Sequence, residues 1–204
     1  MVKWQIDDDM SRCTAEEVER LLPLVSAQRR EQAMRYKHLH GQYCCLRSWE
    51  ILDALVRETT GKRQANVSLV SRSLAYNEHG KPFLPDGPFF SISHCKEAIA
   101  VAVADEPIGI DVEAIRHADE ALIERTMNEE ERKQIAESDD KDRVFTRLWT
   151  RKEAVLKWQG TGIESFEQLQ GVLSHQPSAF SLQTFEKEKY IYSIAYGELH
   201  CFGA

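Results

Sequence analysis

Residues Phe89 to Glu113 read FFSISHCKEAIAVAVADEPIGIDVE. Three runs here, Phe89 to His94, Ala98 to Ala104 and Ile108 to Val112, are short, apolar or β-branched and free of internal proline, which predicts strands. The last two join through a turn at Asp105 to Pro107. In the third run Ile108, Ile110 and Val112 point one way. Gly109, Asp111 and Glu113 point the other, because side chains alternate across a strand. Two carboxylates on one strand face repel each other unless something positive lies beside them.

A second stretch supplies part of that. WTRKEAVLK, Trp149 to Lys157, holds strong helix formers with no glycine or proline, and Val144, Phe145, Leu148, Val155 and Leu156 recur at helical spacings. Glu153 and Lys157, four apart, share a face. Three carboxylates and a lysine suit a divalent cation with an anionic ligand, since hard cations take oxygen donors and magnesium pairs carboxylates with substrate phosphates. Taken singly, each feature is ordinary: an acidic edge strand is a solvated face, and a Glu/Lys pair four apart is a surface ion pair.

Working outward, Val2 to Ile6 predicts a strand. Thr14 with Glu17 makes a capping-box start for a helix ending near Pro23. A second helix is expected from Ser26 toward Lys37. A third runs from Gly41 to Thr60, buries Tyr43, Leu46, Trp49, Ile51, Leu52 and Leu55, and closes on Gly61. Gly80-Lys81-Pro82, Pro85, Gly87 and Pro88 mark turns. Asn128 with Glu131 starts another helix, Asp139 to Gln159 is the long one, closed by Gly160, and Ala179 to Phe202 alternates as a strand pair or triplet. The class is α+β, divided at the Asp105–Pro107 turn into residues 1–105 and 106–204, with the site expected in a cleft between the halves.

The 204 residues carry a net charge of -7, which argues against general nucleic-acid binding. The stretch from Ser26 to His40 is locally basic and suits an anionic ligand or an acidic partner. The five cysteines lack metal spacing and read as free thiols. With neither a signal core nor a membrane-length apolar run, a cytoplasmic location is expected.

FSISH (Phe90 to His94), IGIDVE (Ile108 to Glu113) and LWTRKEAVLK (Leu148 to Lys157), preceded by GKP (Gly80 to Pro82), together resemble the 4'-phosphopantetheinyl transferases. The likeness is to the two-half type that activates surfactin synthetase, and it covers about residues 20 to 165 in the family's order. It implies two similar α/β halves related by a pseudo-twofold axis, with coenzyme A in the groove between them. It also implies magnesium-dependent transfer of the phosphopantetheine arm to a serine of an apo acyl or peptidyl carrier protein, releasing adenosine 3',5'-bisphosphate. One chain supplying both walls implies a monomer, with no role for nucleic acid or membrane.

By the same resemblance, Asp111, Glu113 and Glu153 match the magnesium carboxylates, and Lys157 matches a lysine on the pyrophosphate. His94, after Ser93, matches a histidine on coenzyme A phosphates, and Lys81 a position beside the adenine and ribose. Glu131 matches a glutamate proposed to deprotonate the incoming serine, but it equally fits a capping box with Asn128. Glu153, acting through a water, is the other candidate base. Arg29 aligns with a contact to the 3'-phosphate, whereas Gln32 and Cys44-Cys45 stand where relatives have basic or Arg-Thr residues. Arg35 and Arg47 are candidates to compensate. The rival readings are a magnesium-dependent phosphoesterase or nuclease, and a non-catalytic module binding coenzyme A or a carrier protein.

Overall fold

The structure is a computed structural model that describes residues 1–61, 74–163, 165–174 and 180–197. Strand β1 (Val2–Asp7) is followed by helices α1 (Ala15–Leu21), α2 (Ala27–Met34) and α3 (Leu39–Thr60). Thr14 and Ser26 cap α1 and α2 by accepting the amides of Glu17 and Arg29. The first is a one-sided cap, because the Glu17 carboxylate turns to Arg12 and Arg20 instead of back to Thr14. Helix α2 stops at Met34, short of Lys37: the Tyr36 ring lies against Gly41, filling the space a Cβ would need, and the chain bends there into α3. The buried side of α3 carries Tyr43, Leu46, Trp49, Ile51, Leu52 and Leu55 as its apolar spacing requires, with Cys44 and Cys45 beside them.

The hairpin β2 (Ala75–Tyr76) and β3 (Pro82–Phe83) precedes β4 (Phe89–His94), β5 (Ile99–Ala104) and β6 (Ile108–Ala114). Then come α4 (Glu120–Thr126), α5 (Glu129–Ala136), α6 (Lys141–Gln159), α7 (Phe166–Gly171), β7 (Phe180–Glu186) and β8 (Tyr190–Gly197). Gly61 and Gly160 end α3 and α6 in the left-handed conformation. Any third strand in the tail falls outside the described residues.

Besides the β2-β3 hairpin, the described strands form two three-stranded antiparallel sheets, ordered β1-β5-β4 and β6-β8-β7. The Asp105–Pro107 turn passes the chain from one to the other. In each sheet the last strand lies between the first and the middle one, and a long helix inserted after the first strand covers it: α3 on β5, α6 on β6 and β8. The layers follow from alternation. Ile99, Val101 and Val103 of β5 pack on the α3 side. The alanines between them, Ala100, Ala102 and Ala104, meet Ile108, Ile110 and Val112 of β6. Small side chains on one sheet and large ones on the other bring the sheets together, and the opposite face of β6 turns to α6. Cys13, Cys44, Cys45 and Cys95 are free thiols; Cys201 lies outside the described residues. No described helix is long and apolar enough to cross a membrane.

Candidate active site

Helix α6 lies directly on β6 because Gly109 has no side chain. A Cβ there would run into the Ala154 carbonyl oxygen and the Trp158 amide nitrogen. Glu153 and Lys157, flanking Ala154 on the helix, therefore come down on the strand face that carries Asp111 and Glu113. Asp111 is 2% exposed. Its Oδ1 accepts from the Lys157 ammonium at 2.6 Å and from Ser93 Oγ at 2.8 Å, and Lys157 also donates to Ser93 Oγ at 3.0 Å. Ser93 arrives from β4, whose Ser91 accepts the Ile110 amide on the free edge of β6. Phe90 and Ile92, the alternate residues of β4, face the α3 core.

The carboxylates are in one another's field. Burial, and then Asp111, pushes the Glu113 carboxyl up to about 7, while Arg116 and Lys157 pull the other way. Glu153 is raised by the same two causes in the same order. Among the described residues no three acidic, histidine or cysteine side chains are gathered closely enough to hold a metal as they stand. The donor chemistry nonetheless fits a hard cation: every candidate donor is a carboxylate oxygen, and Asp111 Oδ2 is buried without a partner among the described residues.

Lys81 reaches this region from the β2–β3 hairpin, but it donates to backbone, to the carbonyls of Ile108 (3.3 Å) and Lys157. Burial and the nearby Lys157 lower its pKa to about 8. Asn77 adds a bond to the Gly160 carbonyl (2.9 Å), so the hairpin fastens the end of α6 to the start of β6. Beside this clamp opens a cleft of about 350 Å3 lined by Lys81, Pro82, Phe83, Phe90, Pro107 and Trp158, among others. His94 keeps an open edge at the end of β4. The protein crowding its other side lowers its pKa, as do His40 and Lys157, favouring the neutral ring.

Two expected site residues stand apart. Arg29 lies over the Trp49 ring, 3.8 Å from its centre, in a small depression with Gln32 and Tyr76. Neither alternative cation is free: Arg47 pairs with Asp7 (2.6 Å) and Glu50, and Arg35 with Glu31 (2.7 Å). Glu131 completes a full capping box with Asn128 and binds the Lys152 ammonium at 2.6 Å. Lys152 is 0% exposed and also donates to the Thr126 and Leu169 carbonyls. No hydrogen bond or ion pair of Glu131 among the described residues reaches Asp111, Ser93 or Lys157. Motif and spacing do not single out Lys152 or Arg116. A lysine and glutamate side by side in WTRKEAVLK point about 100° apart on a helix, so only one can share the Lys157 face.

Residues 107–201 match the model of the 4'-phosphopantetheinyl transferase superfamily, a stretch that begins at the turn opening β6 and includes Asp111, Glu113, Glu153 and Lys157. The 4'-phosphopantetheinyl transferase AcpT of Salmonella typhimurium is 32% identical over 165 residues, covering 72% of this chain and 84% of that protein. The 4'-phosphopantetheinyl transferase ffp of Bacillus subtilis is 30% identical over 152 residues, 72% of this chain and 66% of that protein. Sfp of Bacillus subtilis (strain 168), also named a 4'-phosphopantetheinyl transferase, is 28% identical over 172 residues, 82% of this chain and 75% of that protein. With the carboxylate strand, its covering helix and the lysine between them inside the matched stretch, the chain belongs to the 4'-phosphopantetheinyl transferase superfamily.

Proposed function

We propose that this chain moves the 4'-phosphopantetheine arm of coenzyme A onto a serine of an apo acyl or peptidyl carrier protein. The observation that carries this reading is the contact of Lys157 and Asp111 with Ser93, beside Glu113 and Glu153; all but Ser93 lie within the family-matched stretch. Family membership weighs against the nuclease reading. The occupied ion pair and the orphaned Asp111 oxygen weigh against an inert binding module.

In this reading the adenosine end of coenzyme A lies in the cleft beside Lys81, with its phosphates at Lys157, Ser93 and His94. Arg29 is assigned to the 3'-phosphate only at a distance from this group. Asp111, Glu113 and Glu153 would hold magnesium, which neutralises pyrophosphate charge when bound. The ammonium of Lys157 is released from Asp111 to the phosphate oxygens, and Ser93 donates to the same anion. The serine oxygen forms its bond to the phosphorus bearing the pantetheine arm. The bond from that phosphorus to the bridging oxygen breaks, and adenosine 3',5'-bisphosphate leaves with the electron pair. Glu153 is the better placed of the two candidate bases to take the serine proton, since Glu131 is committed to Lys152. The matching strand order of the two sheets supports two halves related by a pseudo-twofold axis, 1–105 and 106–204, within a monomer.

The test is intact-protein mass spectrometry of an apo acyl carrier protein incubated with this chain, coenzyme A and magnesium. A gain of one phosphopantetheine arm, lost with EDTA, is expected. No gain on acyl or peptidyl carriers would overturn the reading.

A further inference from the structure

A chain of hydroxyls runs beside Asp111 between α6 and the sheet it covers. Asp111, Ser193 and Thr184 are register partners on β6, β8 and β7, so their side chains share the face that meets α6. Ser193 and Thr150, the latter on α6, are each 0% exposed. Ser193 Oγ is 2.9 Å from Thr150 Oγ1 and 3.0 Å from Thr184 Oγ1. A buried hydroxyl is costly unless it is bonded, and here each one is.

The ends of the chain fix its direction. Arg151 Nη1 donates to Thr184 Oγ1 at 3.2 Å, and Thr150 Oγ1 donates to the Arg147 carbonyl at 3.0 Å. Each hydroxyl has a single proton. That of Thr150 is taken by the carbonyl, so Ser193 donates to Thr150. Thr184 in turn donates to Ser193. This is the assignment that makes every contact in the chain a hydrogen bond.

The direction matters at Asp111. Residues opposite each other on antiparallel strands have Cβ atoms about 4.5–5.5 Å apart, which puts the Ser193 hydroxyl beside the Asp111 carboxylate. Asp111 Oδ1 accepts from Lys157 and Ser93, whereas Oδ2 is buried with no partner among the described residues. Two neutral bonds hold the Ser193 hydroxyl where it is, and a charge-assisted bond is about twice as strong as either. With the Thr150 acceptor gone, only one of the two remains, and the freed proton turns to Asp111.

We infer that Thr150 is a positioning residue for the cation site: by accepting the Ser193 proton, it keeps Asp111 Oδ2 bare for a divalent ion. This deepens the proposed reaction and rests on its assignment of magnesium to Asp111, Glu113 and Glu153.

The test is calorimetric titration of magnesium into the full chain saturated with coenzyme A, without carrier protein. Thr150→Val, and independently Thr150→Ala, should raise the magnesium Kd about tenfold, the effect of having to displace one hydrogen bond to a charged group. Thr150→Ser keeps the acceptor and should stay within about twofold of the wild type. So should Ser193→Ala, which has no proton to turn, and Thr184→Val, which leaves that proton on Thr150. The deciding variant joins Thr150→Val with Ser193→Ala. Without the proton its Kd should return to within about twofold of the wild type, a non-additive pair. The magnesium concentration for half-maximal transfer should follow the same order. A double variant as weak as Thr150→Val, or a Thr150→Val Kd equal to the wild type's, would overturn the inference and leave the transfer reaction standing. Wild-type protein that binds no magnesium would overturn the inference together with the magnesium assignment beneath it.

Discussion

Gly109 lies against the Ala154 carbonyl with no room for a methyl group between them. That contact sets how deeply α6 settles on β6, and so whether Glu153 and Lys157 reach Asp111. Gly109→Ala should cost about 1–3 kcal/mol by overpacking, and the loss of transfer should be larger than the loss of stability explains. Denaturant unfolding beside a transfer assay would check this; normal turnover with normal stability would remove the close approach from the account.

Asp111 and Lys157 form an asymmetric pair. The Asp111 side chain is 3% exposed and that of Lys157 27%. Lys157→Ala strands a buried carboxylate, at a cost of about 3–5 kcal/mol. Asp111→Ala leaves an ammonium that can turn to solvent, costing about 1 kcal/mol. Both should lose transfer, and Lys157→Ala should also weaken coenzyme A binding. Thermal melts and calorimetric titration of coenzyme A separate the effects, and equal melting losses would contradict the burial argument.

Glu113 gives a pH signature. A carboxyl held at about 7 when folded, against an ordinary 4.5, stabilises the fold while protonated. That contribution is complete below the unfolded value and is lost as pH rises through the folded one. In metal-free protein Glu113→Gln should therefore melt above the wild type at pH 8 and match it near pH 4, while transfer falls about 100-fold. Magnesium should raise the wild-type melting temperature at pH 8 more than that of the variant.

The Glu131–Lys152 pair separates the two readings of Glu131. Either single substitution, Glu131→Gln or Lys152→Met, should destabilise by about 3–5 kcal/mol. The double change Glu131→Leu with Lys152→Met should recover much of that. Transfer retained by the folded double variant would assign Glu131 to structure; transfer abolished in it would return Glu131 to the list of bases.

On the proposed placement of the 3'-phosphate at Arg29, the two cations expected to compensate are already paired, Arg35 with Glu31 and Arg47 with Asp7. Replacing coenzyme A with 3'-dephospho-coenzyme A should raise KM less than about tenfold. A larger rise would show that Arg29 leaves Trp49 to bind the phosphate.

The alternation of IGIDVE puts Asp111 and Glu113 on one strand face and the spacing of Glu153 and Lys157 puts them on one helix face, because strand period and helical pitch are local; that the two faces meet comes only from the family resemblance and depends on Gly109. Caps at Asn128, Gly61 and Gly160 are legible because they too are local. The clamp from Lys81 is not: its partners are carbonyls 27 and 76 residues away, and a backbone acceptor leaves no mark in residue type. Lys152 is hidden by its neighbour, since its meaning depends on Thr126, Glu131 and Leu169 closing around it. The end of α2 turns on a ring against Gly41, a contact that residue propensities do not describe.

The buried Lys152 has one more consequence. A cylinder resting on a flat strand is free to roll, and a roll of one residue's worth would swing Glu153 and Lys157 about 100° off target. Lys152, bolted through its ammonium to three separate segments on the far side, acts as an axle pin. The aim of the Glu153–Lys157 face is set by contacts made on another side of the helix.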